Sequence, residues 1–232
     1  MAKTGKIISW SIKALFYLFI VVVNIIVIWR VCFSGDPSSL KPIMVNENTL
    51  EAYEAHGDDL VLETQEQRTI TASGLFSVTS FVFIPEADQL QITVRYNNST
   101  LRKVAEEYEL DEVPHREGDV FDVTVVKTTD LTPDNTEDNL DPETLAEERF
   151  FPSEMKEGYK KLYSYRKYIF DGISYDGAVG IFADFYYSGD VDFEKEPYGA
   201  LCLYDSEMPM IEKKLTSADR RVIRAALASR EN

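Results

Sequence analysis

Residues 14–29, ALFYLFIVVVNIIVIW, contain no charged side chain, and Ile7, Ile8 and Trp10 extend the apolar stretch beyond Lys13. A buried core helix rarely needs so long an uninterrupted run, whereas a bilayer requires one. Trp10 and Trp29 bracket the stretch. Helical rise sets the two indoles roughly 28 Å apart, close to the hydrocarbon thickness at whose borders aromatic side chains collect. Lys13 reaches back toward the headgroups along its aliphatic stem. The sequence therefore predicts a cytoplasmic tail at residues 1–6 and a single transmembrane helix at residues 7–33.

A cleaved signal peptide fits less well, because the apolar run exceeds a usual signal core and Trp29 and Arg30 interrupt its exit. Cys32 with Ser34 makes only a marginal cleavage site. Bulky Trp29 and Val31 also stand where a lipidation signal wants small side chains, so Cys32 reads as a plain juxtamembrane thiol. Lys3, Lys6 and Lys13 precede the run and Arg30 follows it. That bias places the N-terminus in the cytoplasm and the remaining chain outside it. Asn24, the polar residue of the outer half, reads either as a hydrogen-bonding contact to a neighbouring helix or as a tolerated side chain.

Beyond the helix the chain is acidic. The net charge is −16, yet the first 33 residues hold four basic groups and no acid, and residues 213–232 hold six basic and two acidic groups. Subtracting those contributions of +4 each leaves −24 on residues 34–212. Such a body repels phosphate backbones, so no nucleic-acid partner is expected.

The sequence SGDPSSLKP at residues 34–42 reads as a linker, since Gly, Ser and Pro favour extended, solvated backbone. The acidic domain is expected over residues 43–212, opening with a short helix in NTLEAYEAHG capped by Asn48 or Thr49 and ended at Gly57. LVLET, RTITASG, FSVTSFVFI, LQITVRY and DVFDVTVVKTT then alternate β-branched or aromatic residues with polar ones, which is a strand pattern. In NNSTLRKVAEEYEL, Leu101, Val104, Ala105 and Tyr108 repeat at helical spacing behind Ser99 or Thr100. Residues 130–148 are acidic, rich in Asp, Asn and Pro, and read as an exposed loop. Strands resume in KLYSYRKYIFDGI, VGIFADFYY and YGALCLYD. About eight strands between turns indicate an antiparallel β-sandwich-like domain with short helices. The class is mainly β, in keeping with 13 Tyr and 13 Phe.

Residues 213–232 change character. Thr216 or Ser217 caps an amphipathic helix whose apolar face holds Ala218, Val222, Ile223, Ala226 and Leu227. Its basic face of Arg220, Arg221, Arg224 and Arg230 reads either as docked on the chain's own acidic domain or as a contact for a protein or wall polymer.

Chemistry is sparse. Two histidines, His56 and His115, offer few bases for a triad. Cys202 sits in a strand pattern as a small hydrophobe, and with Cys32 alone as companion it implies no disulfide framework and no zinc site. Asp190, Asp192 and Glu194, and Asp134, Asn135, Asp138 and Asp141, offer oxygen ligands for calcium but lack the Gly and Glu of a calcium loop in register. Tyr159, Tyr163, Tyr165, Tyr168, Tyr175, Tyr186, Tyr187 and Tyr198 either line a sugar-stacking surface or fill the core. No catalytic, cofactor or metal residue is assigned, and no cofactor is expected. The expectation is an extracytoplasmic binding or scaffolding module tethered to the bilayer at the cell envelope. The alternatives are a carboxylate-dependent hydrolase of envelope glycans and a calcium-stabilised adhesive domain.

Overall fold

The computed structural model describes residues 2–32, 35–66, 75–130, 145–189 and 191–230. In the first helix, α1 (Ala2–Cys32), side chains are described for Lys13 and residues 15–29. Every one of these is exposed, from Leu15 at 72% to Ile20 and Val23 at 38%. Among the described residues no helix is long and apolar enough to cross a membrane. The amide of Asn24 donates to the Ile20 carbonyl at 2.7 Å, so its polar head is met within its own helix.

The remaining described residues are mainly β, with two antiparallel sheets, three short α-helices and two single-turn 3-10 helices in a β-sandwich-like fold. One sheet has six strands in the order β10 (Met210–Lys214), β1 (Val61–Gln65), β2 (Ser77–Ile84), β3 (Gln89–Asn97), β7 (Tyr163–Asp171) and β6 (Glu154–Tyr159). The other has four, in the order β5 (Leu145–Phe150), β4 (Phe121–Asp130), β8 (Ala178–Tyr187) and β9 (Gly199–Asp205). Alternation along the strands sends Phe81, Phe83, Leu90, Ile92, Val94, Tyr168 and Phe170 inward from the larger sheet. Val123, Val125, Ile181, Ala183, Phe185, Leu201 and Leu203 face them from the smaller one. Phe76 sits at the centre, stacked on Phe185 at 4.3 Å between centroids and edge-on to Phe121 at 4.7 Å.

Three helices close the exposed flanks. Asn46 caps α2 (Glu47–His56) by accepting from the Thr49 amide, and Gly57 ends it at φ 62°, a left-handed value that glycine adopts without strain. Asn97 caps α3 (Asn98–Glu107), which seals one end of the sandwich with Leu101 and Val104. These caps fall two or three residues before the expected ones, because an Asn carbonyl oxygen reaches the second and third amides of the helix it precedes. The expected Thr216 cap holds for α4 (Ser217–Arg230). The Thr216 amide donates to Asp219 Oδ2 at 2.8 Å and the Asp219 amide to Thr216 Oγ1 at 3.2 Å, a reciprocal capping box.

α2 and α4 lie on the outer face of the six-stranded sheet. There Leu50, Ala52 and Ile223 join Ile43, Leu60, Leu62, Ile84 and Leu215 in a second core. The basic face of α4 is thus engaged within the domain, with Arg220 and Arg224 near Asp58, and Arg230 beside Glu47 and Glu54. Those pairs are largely solvent-exposed and hold little on their own, whereas Ile223 is fully buried, so docking of α4 is mainly apolar.

Several expectations are corrected. Residues 35–42 are not a solvated linker: Pro37 and Leu40 are buried against the sheet, Leu40 at 1% exposure. The segment forms a strap over the outer face of β7 and β6. Gly158 lacks the side chain that would meet it, since a Cβ there would stand 2.7 Å from Leu40 Cδ1. Residues 145–148 are not loop but the start of β5, paired with β4 from Leu145↔Asp130 to Phe150↔Val125. β6 and β10 were also unexpected. All three are edge strands rich in charge, and solvent-facing edges lack the apolar alternation that marks inner strands. The expected strand RTITASG and most of the acidic loop fall outside the described residues.

The two sheets are fastened at one corner by Gln65. Its amide nitrogen donates to the carbonyls of Asp205 at 2.7 Å and Met208 at 2.9 Å, and its oxygen accepts from the Asp205 amide at 3.0 Å. That side chain grips the turn through which the chain passes from β9 in one sheet to β10 in the other.

Candidate binding surface

The two outer faces of the sandwich are unlike. The six-stranded sheet is covered by the strap, α2 and α4. On the four-stranded sheet, β4 turns Thr124, Val126 and Thr128 outward, β8 turns Phe182, Asp184 and Tyr186, and β9 turns Ala200 and Cys202; of these Thr124, Val126, Thr128, Asp184 and Tyr186 are nonetheless buried. Among the described residues, the cover over this face includes Phe193 from the loop between β8 and β9. Phe193 meets Tyr186 edge-on at 5.0 Å and Phe151 at 5.2 Å.

Arg149, on edge strand β5, organises the surface. One guanidinium nitrogen donates to Thr124 Oγ1 at 2.9 Å and Tyr186 Oη at 2.8 Å, and lies 3.5 Å from Asp184 Oδ2. The guanidinium also stands over the rings of Tyr186 and Phe193 at 5.5 and 5.7 Å, near the outer limit for a cation–π attraction. Antiparallel pairing of Val126 with both Arg149 and Phe182, and of Thr124 with Asp184, places these side chains on one face. Burial raises the Asp184 carboxyl above the usual aspartate range; Arg149 partly counters this and Glu147 adds to it. The rim carries exposed aromatics, with Phe151 at 56% and Phe182 at 36%. A cation fixed among rings beside exposed Phe151 and Phe182 suits recognition of a surface, since aromatics and arginine supply contact area at small entropic cost.

The residues singled out from the sequence do not meet here as a catalytic set. His56 ends α2 and lines a groove of about 430 Å³ with Glu51, Glu86 and Asp88. His115 lies in an exposed turn, its Nδ1 accepting from the Glu117 amide at 3.4 Å. Cys202 is half-buried on this face, its thiol donating to the Tyr204 carbonyl at 3.3 Å and pushed up by burial. Asp192 accepts from the Glu194 amide and lies 3.5 Å from Lys195, a local turn. Asp190 and residues 134–141 lie outside the described residues, and among those described no group of three His, Cys, Asp or Glu is placed to hold a metal ion.

The tyrosines are divided between core and corners. Tyr165, Tyr168 and Tyr186 are buried. Tyr187 and Tyr198 close one end with Tyr108. Tyr175 stacks on Tyr204 and donates to Glu63, which with burial pushes its phenol far up. Sequence reasoning missed Arg149, because LAEERF reads as the tail of an acidic loop; its signal was a lone arginine followed by two phenylalanines.

Comparison of the chain with family models, curated proteins and solved structures found no match in any of the three.

Proposed function

We propose that this chain is a single-pass membrane protein, N-terminus in the cytoplasm, whose β domain acts outside it as a binding or scaffolding module at the cell envelope. The observation that carries the anchor is the condition of α1: residues 15–29 are exposed on every side, with large apolar side chains at nearly every position. In water such a surface is costly, and apolar surface of this extent marks a membrane or partner contact. The full apolar run begins at Ile7, before the described side chains, and Trp10 and Trp29 stand at its borders. The basic residues Lys3, Lys6 and Lys13 on the N-terminal side support the orientation.

The binding role rests on the Arg149 cluster with Tyr186 and Phe193 and on the exposed rings of Phe151 and Phe182 at its rim, whose character is that of a protein-recognition surface. Protease digestion of a C-terminal tag on intact cells, with a cytoplasmic protein as leakage control, tests the orientation. Digestion supports it, and protection that detergent abolishes overturns it. A photo-crosslinking amino acid at Phe182 then tests the surface: a discrete adduct lost with R149A supports it, and the same yield at Glu86 speaks against it.

A further inference from the structure

The turn between β6 and β7 is built from Lys160, Lys161, Leu162 and Tyr163. The Lys160 amide donates to the Tyr163 carbonyl at 2.9 Å and the Tyr163 amide to the Lys160 carbonyl at 3.3 Å, leaving Lys161 and Leu162 at the tip. Two-residue hairpin turns ordinarily use Asn-Gly or a similar pair at positive φ. Among the described residues, the non-glycine residues with positive φ are Asp88 and Glu109, so neither tip residue follows that rule. Leu162 is 52% exposed, an apolar side chain at the most projecting point of a hairpin.

The tip is also braced. Arg116 Nη1 donates to the Lys161 carbonyl at 3.0 Å and the Lys160 carbonyl at 3.4 Å, and Arg95 stands 4.7 Å over the ring of Tyr163. Within a domain segment of net −24, this corner gathers Lys160, Lys161, Arg116 and Arg95, with Glu117 4.0 Å from Arg116 and Glu157 held by Tyr159 on β6 as its acidic neighbours.

Its place in the fold is set by the strap. Tyr165 Oη donates to the Gly35 carbonyl at 3.4 Å, so the chain joins the sheet three residues after α1 ends at Cys32, a reach of roughly 11 Å at most. Tyr165 lies three residues from Leu162 along β7, about 10 Å. From there the strap runs away from the tip, past Gly158 and Lys167, to Asn46 beside Asp171 at the far end of β7. The hairpin tip therefore stands at the anchor end of the sheet.

We infer that the β6–β7 tip is a membrane-surface contact: Leu162 enters the interface of the bilayer that holds α1, and Lys160 and Lys161 sit on the phosphates of anionic lipids. This rests on the anchor reading given above. Exposed leucine flanked by lysine and tyrosine is the chemistry of an interfacial contact, in which the apolar group reaches the acyl boundary and the cations meet the headgroups. The contact would fix the domain's tilt, turning the strap from a tether into one of two feet.

The test uses the full chain with Cys32 and Cys202 replaced by serine and a polarity-sensitive fluorophore on L162C, reconstituted in phosphatidylcholine vesicles with or without phosphatidylglycerol. A second labelled chain carries the fluorophore on D176C, in the loop at the other end of β7. Quenching of Trp29 by brominated lipid reports insertion of α1. The expected result is a blue shift and quenching by headgroup-labelled lipid at residue 162 but not at 176, with the contact weakened roughly fivefold for each lysine removed in K160Q and K161Q. To exclude a contact made by the fluorophore itself, the unlabelled L162N and K160Q/K161Q chains are compared with the unsubstituted chain for hydrogen exchange of residues 159–163. Faster exchange in both variants, with phosphatidylglycerol present, is expected. A water-exposed probe at 162 while Trp29 is quenched overturns the tip contact and leaves the anchor standing. Equal contact in pure phosphatidylcholine overturns the assignment of the lysines, and absence of Trp29 quenching overturns both readings.

Discussion

The ammonium of Lys167 donates to the carbonyl oxygen of Pro42 at 2.6 Å and to that of Leu40 at 3.2 Å, and is buried between strap and sheet. Burial lowers its pKa from 10.5 to about 8, with Asp219 and Asp36 partly opposing. Above pH 8 the unfolded chain holds this proton more tightly than the folded one, so stability should rise with pH until both forms are neutral. The gain is about 3 kcal/mol at most over the window from pH 8 to 10.5. The Cys202 thiol, raised from 9.0 by burial, acts in the opposite sense above pH 9 and the buried tyrosines do so above pH 10, so the clean window is pH 8–9. Urea unfolding of the detergent-solubilised chain should show the rise, and K167M should flatten it.

Asp219 is expected to be the costliest surface-layer carboxylate to remove. It is 4% exposed and accepts from the Thr216 amide and, across the fold, from the Ile43 amide at 2.8 Å. D219A strands both donors, a loss of about 2–4 kcal/mol. Limited proteolysis within residues 35–46 should accelerate in parallel with the drop in urea midpoint.

G158A should loosen the strap. The new methyl would meet Leu40 Cδ1 at 2.7 Å and Pro37 Cγ at 3.0 Å, and neither has room to withdraw from a buried seat. Overpacking of this kind costs about 1–3 kcal/mol. The double variant G158A/L40A should lose less than the two single losses added together, a coupling read by denaturation of all four chains.

Removing Arg149 should cost stability at neutral pH by about 1–2 kcal/mol, because Asp184 is left half-desolvated beside Glu147. The Asp184 pKa, already raised, would rise further, so part of the R149M loss should return on acidification as that carboxyl protonates. In a D184N background the R149M cost should shrink and its pH dependence vanish.

The inner strands were legible in the sequence because β2, β3, β4, β7 and β8 are flanked on both sides, and their alternation records two buried faces. α4 was legible from its capping residues and apolar stripe. Three of the four edges were not: LAEERF, EMKEGY and MIEKK become strands because a neighbour supplies the register, whereas β9, the fourth, shows apolar residues of its own in YGALCLYD. The strap was hidden for a related reason. Leu40 is a lone apolar residue among Ser, Lys and Pro, and what buries it is the surface around Gly158 and Lys167, more than a hundred residues away. Arg149 belonged to an unread edge, so the aromatic and cationic face it organises could not be assembled from spacing alone.

The bond from Ile43 to Asp219 spans 176 residues. At ordinary elongation rates the ribosome reaches Asp219 roughly ten to thirty-five seconds after Ile43. Through that interval the Ile43 amide, which in the finished domain holds the strap closed, has no carboxylate to meet. A chain interrupted before α4 would carry α1 and both sheets' strands but leave the strap unlatched, exposing the cluster around Leu60 and Ile84 to chaperones and proteases. The latch therefore closes last: it forms at Ile43, where the strap gives way to α2, and only once the chain has been made through Asp219.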